Sequence, residues 1–257
     1  MPEPPAVYDH VVWILMENHS YGQIIGSTDA PYLNKLAGQA GVATNFYAEA
    51  HPSLPNYIAM TSGSTQGITD DNPPADHPLS VPSIFSLLPA GASRSLEESM
   101  PSNCLKTDSG NYAVRHNPQA YYTNLNGDCA QCNVPLADPP DISARFTFVT
   151  PNLINDMHDG TVADGDTWLS TFVPQLLASA EYAAGRTAVF ITWDEDDDLS
   201  GNHIPTFVIA PSVAPGTQVS AKLDHYAMLR ATQEMLNVAP LLGNAATAAD
   251  MRAPFNL

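Results

Sequence analysis

The chain has 257 residues, enough to bury a sizeable core, and sets 9 Lys plus Arg against 27 Asp plus Glu, a formal charge of −18. So acidic a surface repels nucleic acid and anionic membrane, and no basic cluster offsets it. An anionic substrate would therefore need a local positive charge, and a metal ion is the ready source. No apolar run is long enough to span a bilayer, so no integral membrane association is expected. With 44% apolar residues the chain is not disordered, and 23 prolines predict an irregular, loop-rich surface.

In chain order, the first strand is predicted over 11–16, six apolar residues in a row. That run is too short for a helix core and suits a strand buried on both faces. It stops at Glu17-Asn18-His19-Ser20. Asp29 as N-cap and Pro31 in the first turn predict a helix through Leu33, Leu36 and Ala37, ending near Gly38 or Gly41. A second strand is predicted over 42–48. A short helix comes after Ser53, with Pro55 in its first turn and Gly63 beyond its end. Residues 64 to about 140 are rich in Pro, Asn, Asp, Ser and Gly and read as an insertion with little regular structure. They hold Cys104, Cys129 and Cys132, where one disulfide with one thiol left over suits an exported protein; the pairing stays open. The cysteines lead to an expected secreted or extracytoplasmic location; no signal peptide is visible, and Met1-Pro2-Glu3-Pro4-Pro5 reads as the start of a mature domain. Sheet returns over 146–149. Asp166 is expected to cap a helix running from Trp168 to Ala180, with a bend at Pro174. Strands over 188–193 and 206–209 and a helix from the Asp224 cap to Met235 complete the chain. No repeat or linker divides it, so 1–257 reads as one domain.

Alternating strands and helices predict an α/β fold, a mostly parallel central sheet sandwiched between helices. Such sheets bind ligands beyond the carboxyl ends of their strands. The first strand runs into Glu17-Asn18 and the second into His51-Pro52-Ser53. The 146–149 strand runs into Asn152, Asn155, Asp156 and His158, and the 188–193 strand into Asp194-Glu195. Four strands thus deliver ligand-type and nucleophile-type side chains to one edge. Glu17, Asn18, Asp194 and Glu195 are hard oxygen ligands without a thiolate, which suits one divalent ion: Mg²⁺, Ca²⁺ or Mn²⁺, with Zn²⁺ open if imidazoles join. A calcium loop of EF-hand type fails, because Leu199 sits where the turn glycine belongs and Pro205 takes the final ligand position. Asp196 to Asp198 read as a solvated acidic loop. Ser53 reads two ways. A hydroxyl beside a metal, at a helix start whose free N–H groups face an anion, is a nucleophile for attack on phosphorus. Serine is equally at home as a simple helix N-cap.

Four stretches occur in order: Glu17-Asn18-His19-Ser20; His51-Pro52-Ser53-Leu54-Pro55-Asn56-Tyr57; Asn155-Asp156-Met157-His158-Asp159-Gly160; and Thr192-Trp193-Asp194-Glu195-Asp196-Asp197. Together they resemble the bacterial phosphoesterase family of acid phosphatases and non-haemolytic phospholipases C, within the alkaline phosphatase-like superfamily. The resemblance covers the chain from Asp9 to about Leu236. It implies metal-dependent hydrolysis of small phosphate monoesters through a phosphoserine on Ser53, with Glu17, Asn18 and Asp194 holding the metal and Ser53 and Glu195 beside them. Ser53-Leu54-Pro55-Asn56 is also similar to a Thr-Phe-Pro-Asn stretch of nucleotide pyrophosphatases, which implies that Asn56 hydrogen-bonds a phosphate oxygen. Glu195 stands where two-metal relatives carry histidine, so a single ion is expected, with His158 protonating the leaving group and Asp156 orienting its ring. His51 should face the phosphate or the metal's surroundings. His116, His203 and His225 are candidate substrate-side contacts, whereas His10, His19 and His77 have no catalytic role. Two rival readings are a phospholipase C-type phosphodiesterase and a non-catalytic, acidic metal-binding surface protein. A sulfatase is disfavoured, since no Cys-x-Pro-x-Arg stretch occurs.

Overall fold

The six-residue apolar run forms the middle of the sheet, because a strand apolar on both faces is stable only with neighbours on either side and cover above and below. The structure is a computed structural model describing residues 2–125 and 129–257. Its strands are β1 (His10–Met16), β2 (Gly41–Tyr47), β3 (Ser93–Glu97), β4 (Asn133–Pro135), β5 (Phe146–Thr150), β6 (Thr187–Trp193), β7 (His203–Ile209), β8 (Gln218–Val219) and β9 (Leu223–Asp224). Its α-helices are α1 (Tyr21–Ile24), α2 (Pro31–Ala37), α3 (Ser53–Ser62), α4 (Ile84–Leu87), α5 (Cys129–Cys132), α6 (Val162–Leu177), α7 (Ala180–Ala183), α8 (His225–Met235) and α9 (Arg252–Phe255). The sheet order is β4-β3-β5-β1-β6-β7-β2-β8, with β9 also on β2. Every neighbouring pair is parallel except the two made by β7. Since β7 runs against both β6 and β2, its first residue lies at the edge where the other strands end.

Helices flank the sheet, α2 packing on α6 and α3 on α8. Trp13 of β1 donates its indole N–H to Thr232 Oγ1 of α8 at 3.0 Å, which ties the central strand to that helix. At the end of α3, Gly63 has a φ of +80°, and a Cβ there would meet the Leu242 carbonyl oxygen at 2.1 Å. Only glycine closes this helix.

Three expectations change. The 64–140 segment is mostly irregular, yet β3 and β4 extend the main sheet beside β5. Ser93-Arg94-Ser95-Leu96-Glu97 lacks an apolar run, so its burial was invisible to patterning. The long helix begins at Val162, capped by Thr161 and Asp164 reciprocally, and ends at Leu177, with Ala180 in the separate α7. Asp166 lies inside that helix and caps another: its carboxylate accepts the N–H groups of Tyr32 and Leu33 at 3.0 and 2.8 Å. That leaves Asp29 without the capping role, and the residue before α2 is Ala30. Cys104 and Cys129 form the disulfide, and Cys132 is buried.

Candidate active site

Ser53 opens α3 as its first helical residue; the N-cap is Pro52, so the serine is not the cap. Its hydroxyl, 2% exposed, donates to Glu17 Oε2 at 3.0 Å, with Glu195 Oε1 at 3.5 Å. One turn on, the Tyr57 hydroxyl donates to Glu17 Oε1. The Leu54 N–H, expected to be free for an anion, is taken by Asp71 Oδ1 at 2.9 Å. Asn56 also differs from expectation. Its Oδ1 accepts from the Glu49 and Ala50 N–H groups at 2.9 Å each, and its Nδ2 donates to Ala50 O at 2.8 Å. Nδ2 also lies 3.3 Å from Pro52 O and 3.5 Å from Glu195 Oε2, so the amide braces the loop that presents Ser53 and reaches the site's edge.

Around Ser53 the strand ends converge. Glu17 follows β1, Asp194 and Glu195 follow β6, and the Asn18 N–H donates to Asp194 Oδ1 at 3.1 Å. Asn18 has φ +55°, a left-handed conformation that asparagine tolerates better than most residues. Asn18 Oδ1 and Asp194 Oδ2 are buried oxygens without a hydrogen-bond partner among the described residues. Burial first, then the Asp194 and Asp156 charges, pushes the Glu17 carboxyl well above its ordinary range. Burial likewise raises Asp194, and burial followed by the Asp194 charge raises Glu195. Buried oxygens without donors, packed carboxyl beside carboxyl, fit a cation as the missing partner. A second group shares Glu17: it, His116 and His158 offer ligand atoms within 4.8 Å of one another.

The irregular segment brings His116 into the site. Its ring is 1% exposed, stacks on Tyr57 (centroids 5.4 Å, 7° between planes), and places Nδ1 3.2 Å from Asp156 Oδ2 and Nε2 3.4 Å from Glu17 Oε1. Burial, then the Arg115 and His158 charges, holds it well below the ordinary imidazole range. Asp156 does not orient the His158 ring. It accepts the His158 backbone N–H at 2.7 Å and serves His116, while Asp159 holds His158 Nδ1 at 2.7 Å and Arg115 donates to Nε2 at 3.2 Å. His51 sits against the acidic loop, 2.8 Å from Glu195 Oε2 and 3.3 Å from Asp196 Oδ1. Asp196 is no solvated residue: it is 2% exposed and accepts N–H groups from Asp198, Ser200 and Asn202, so it shapes that loop.

Two histidines stay apart from Ser53. His203 is stacked between Tyr21 and Tyr47 and bonds Thr44 O at 3.0 Å. His225 is buried, bonds Trp193 O at 3.0 Å, and burial pushes it down to about 4. Neither makes a hydrogen bond or ion pair to Ser53, Glu17 or Asp194 among the described residues. Sequence reasoning passed over Tyr57, Asp71, Arg115 and Asp159. Tyr57 was findable, four residues after Ser53 and so on the same helix face. Asp71, on a distant loop, carried no signal.

The pattern of the Phosphoesterase family matches residues 27–239. A Mycobacterium tuberculosis protein named phosphatidylinositol-3-phosphatase is 35% identical over 250 residues, covering 94% of this chain and 81% of that protein. The chain belongs to the phosphoesterase family. It is accordingly a phosphoric ester hydrolase. The Kluyveromyces lactis probable acid phosphatase is 27% identical over 89% of this phosphoesterase, which spans 58% of that relative's length. A solved protein of the alkaline phosphatase superfamily from Vibrio parahaemolyticus shares the fold, with TM-score 0.62 at 15% identity, covering 99% of this chain and 74% of that one. No helix among the described residues is long and apolar enough to cross a membrane.

Proposed function

We propose that this phosphoesterase is a metal-dependent phosphomonoesterase that transfers the phosphoryl group to Ser53 and then to water. The observation that carries the reading is the Ser53 hydroxyl, buried and aimed at Glu17 beside the unpartnered oxygens of Asn18 and Asp194 instead of capping its helix. Glu17, Asn18 and Asp194 would hold one divalent ion, with Ser53 and Glu195 beside it. Such an ion supplies the positive charge that favours an ionised serine and offsets the phosphoryl charge. Tyr57 fixes the Glu17 carboxyl, Asn56 fixes the loop before Ser53, and His51 holds Glu195 in place. The Asp159–His158 pair is the proton relay to the leaving group, with Nε2 as the working nitrogen. Relatives named as acid phosphatases and as a phosphatidylinositol-3-phosphatase support monoesters as substrates, and phosphoinositide monoesters belong in the first panel. The disulfide supports an extracytoplasmic site of action, and residues 1–257 act as one unit.

The test is p-nitrophenol release from p-nitrophenyl phosphate and from its phosphocholine diester, before and after metal removal and resupply. We expect monoester turnover that stops on chelation, returns with a divalent ion, and is accompanied by a lower melting temperature without metal. Preference for the diester would install the phospholipase C reading. No nitrophenol release from either compound under any metal would leave an acidic metal-binding protein.

A further inference from the structure

The protein has six arginines, and five are held by oxygen atoms. Arg94 pairs with Asp141, Arg186 with Asp9 and Arg230 with Glu234, while Arg145 and Arg252 donate to the carbonyls of Leu236 and Leu257. Arg115 is different. Among the described residues its one partner is His158 Nε2 at 3.2 Å, and no carboxylate oxygen lies within 4.0 Å of it. In a chain with 27 acidic residues, a half-buried guanidinium without an acid is unusual, because the fork offers five donors that match a carboxylate or phosphate.

Its place explains the isolation. Arg115 neighbours His116 in the short 3-10 turn Val114–His116, and its charge acts on both His116 and Asp156. From Ser53 the contacts run to Glu17 at 3.0 Å, on to His116 at 3.4 Å, across to the His158 ring at 5.5 Å between centroids, and then to the guanidinium. The phosphoryl group joins Ser53 at one end of this series, and Arg115 stands at the other, past the proposed proton relay where the alcohol departs. Other exposed charges around the site are acidic: Asp71 on Leu54, Asp198 on His51 and Asp159 on His158. A second anion on the alcohol is repelled from those sides and met by a guanidinium at Arg115.

We infer that Arg115 selects phosphomonoesters whose alcohol carries a second anionic group, an inference that rests on the phosphomonoesterase reading above. The guanidinium turns from His158 Nε2 to bind that group while the ester meets Ser53, which leaves Nε2 to the departing alcohol. The experiment compares kcat/KM for ω-carboxyalkyl phosphates and plain alkyl phosphates of equal length, across a series of lengths, in the metal-replete full chain. Wild type should prefer the carboxylated substrate at a matching length by on the order of tenfold, as one charge-assisted contact provides. Arg115→Gln should bring that ratio to about one, and Arg115→Lys should keep part of it. Circular dichroism of both variants separates misfolding from lost selection. The inference is overturned if wild type shows no preference at any length, or if Arg115→Gln slows both substrates equally and keeps the ratio, which would make Arg115 a positioning residue for His158 alone. If wild type hydrolyses neither compound, the phosphomonoesterase reading itself fails and takes this inference with it.

Discussion

At the scale of single residues, Ser53 separates chemistry from architecture. Because the helix cap is Pro52 and the serine hydroxyl points to Glu17, Ser53→Ala removes no capping bond. The variant should melt with the wild type and lose on the order of 10³-fold or more in kcat, as for other covalent nucleophiles. A near-normal kcat would return the serine to a structural role. His158 makes a sharper case. With Nδ1 held by Asp159, Nε2 is the nitrogen able to serve a departing alkoxide, although Arg115 donates to it at rest. His158→Ala should therefore slow alkyl phosphates far more than p-nitrophenyl phosphate, whose nitrophenolate leaves without a proton. Equal loss on both would make His158 a cation ligand with Glu17 and His116, the alternative their 4.8 Å grouping allows.

At the scale of elements, the strand ends were legible and the cross-element caps were not. Apolar runs at 11–16 and 188–193 identified buried strands, and the residues just past them, Glu17-Asn18 and Asp194-Glu195, do meet at one sheet edge. Patterning reports only local periodicity, so it misassigned Asp166, which looked like a helix start and instead satisfies the first turn of α2 from α6. Ser93–Glu97 escaped for the same reason, its burial coming from a cover that no local pattern announces. His116 was legible only as a histidine on an irregular segment; its place against Glu17 is a tertiary fact. Asp166→Ala should leave α2 with two uncapped N–H groups and cost about 1–2 kcal/mol in denaturant unfolding with kcat unchanged. A variant as stable as wild type would show that the two bonds are replaced by water.

At the scale of the whole molecule, the charge of −18 and the buried acids couple stability to pH. Away from the active site, Glu97 is 1% exposed, neither carboxyl oxygen makes a close hydrogen bond among the described residues, and burial, partly offset by Thr150, raises it well above the ordinary range. Glu49 is pushed up to about 8 by burial and by the Asp224 charge. For a carboxyl raised on folding, the stabilisation is complete below its unfolded pKa and is lost as pH rises through the folded one. Stability should therefore fall between about pH 5 and about pH 8, and Glu97→Gln, which cannot ionise, should show a shallower fall at fixed metal concentration. Parallel curves would mean that Glu97 is neutralised by other means. The central claim is that phosphate passes through Ser53 before reaching water, which makes two displacements at phosphorus. Its most direct test is the stereochemical course of transfer from a phosphomonoester made chiral with oxygen isotopes to an acceptor alcohol. Two in-line displacements predict net retention of configuration; net inversion would mean a single direct transfer and would contradict the account.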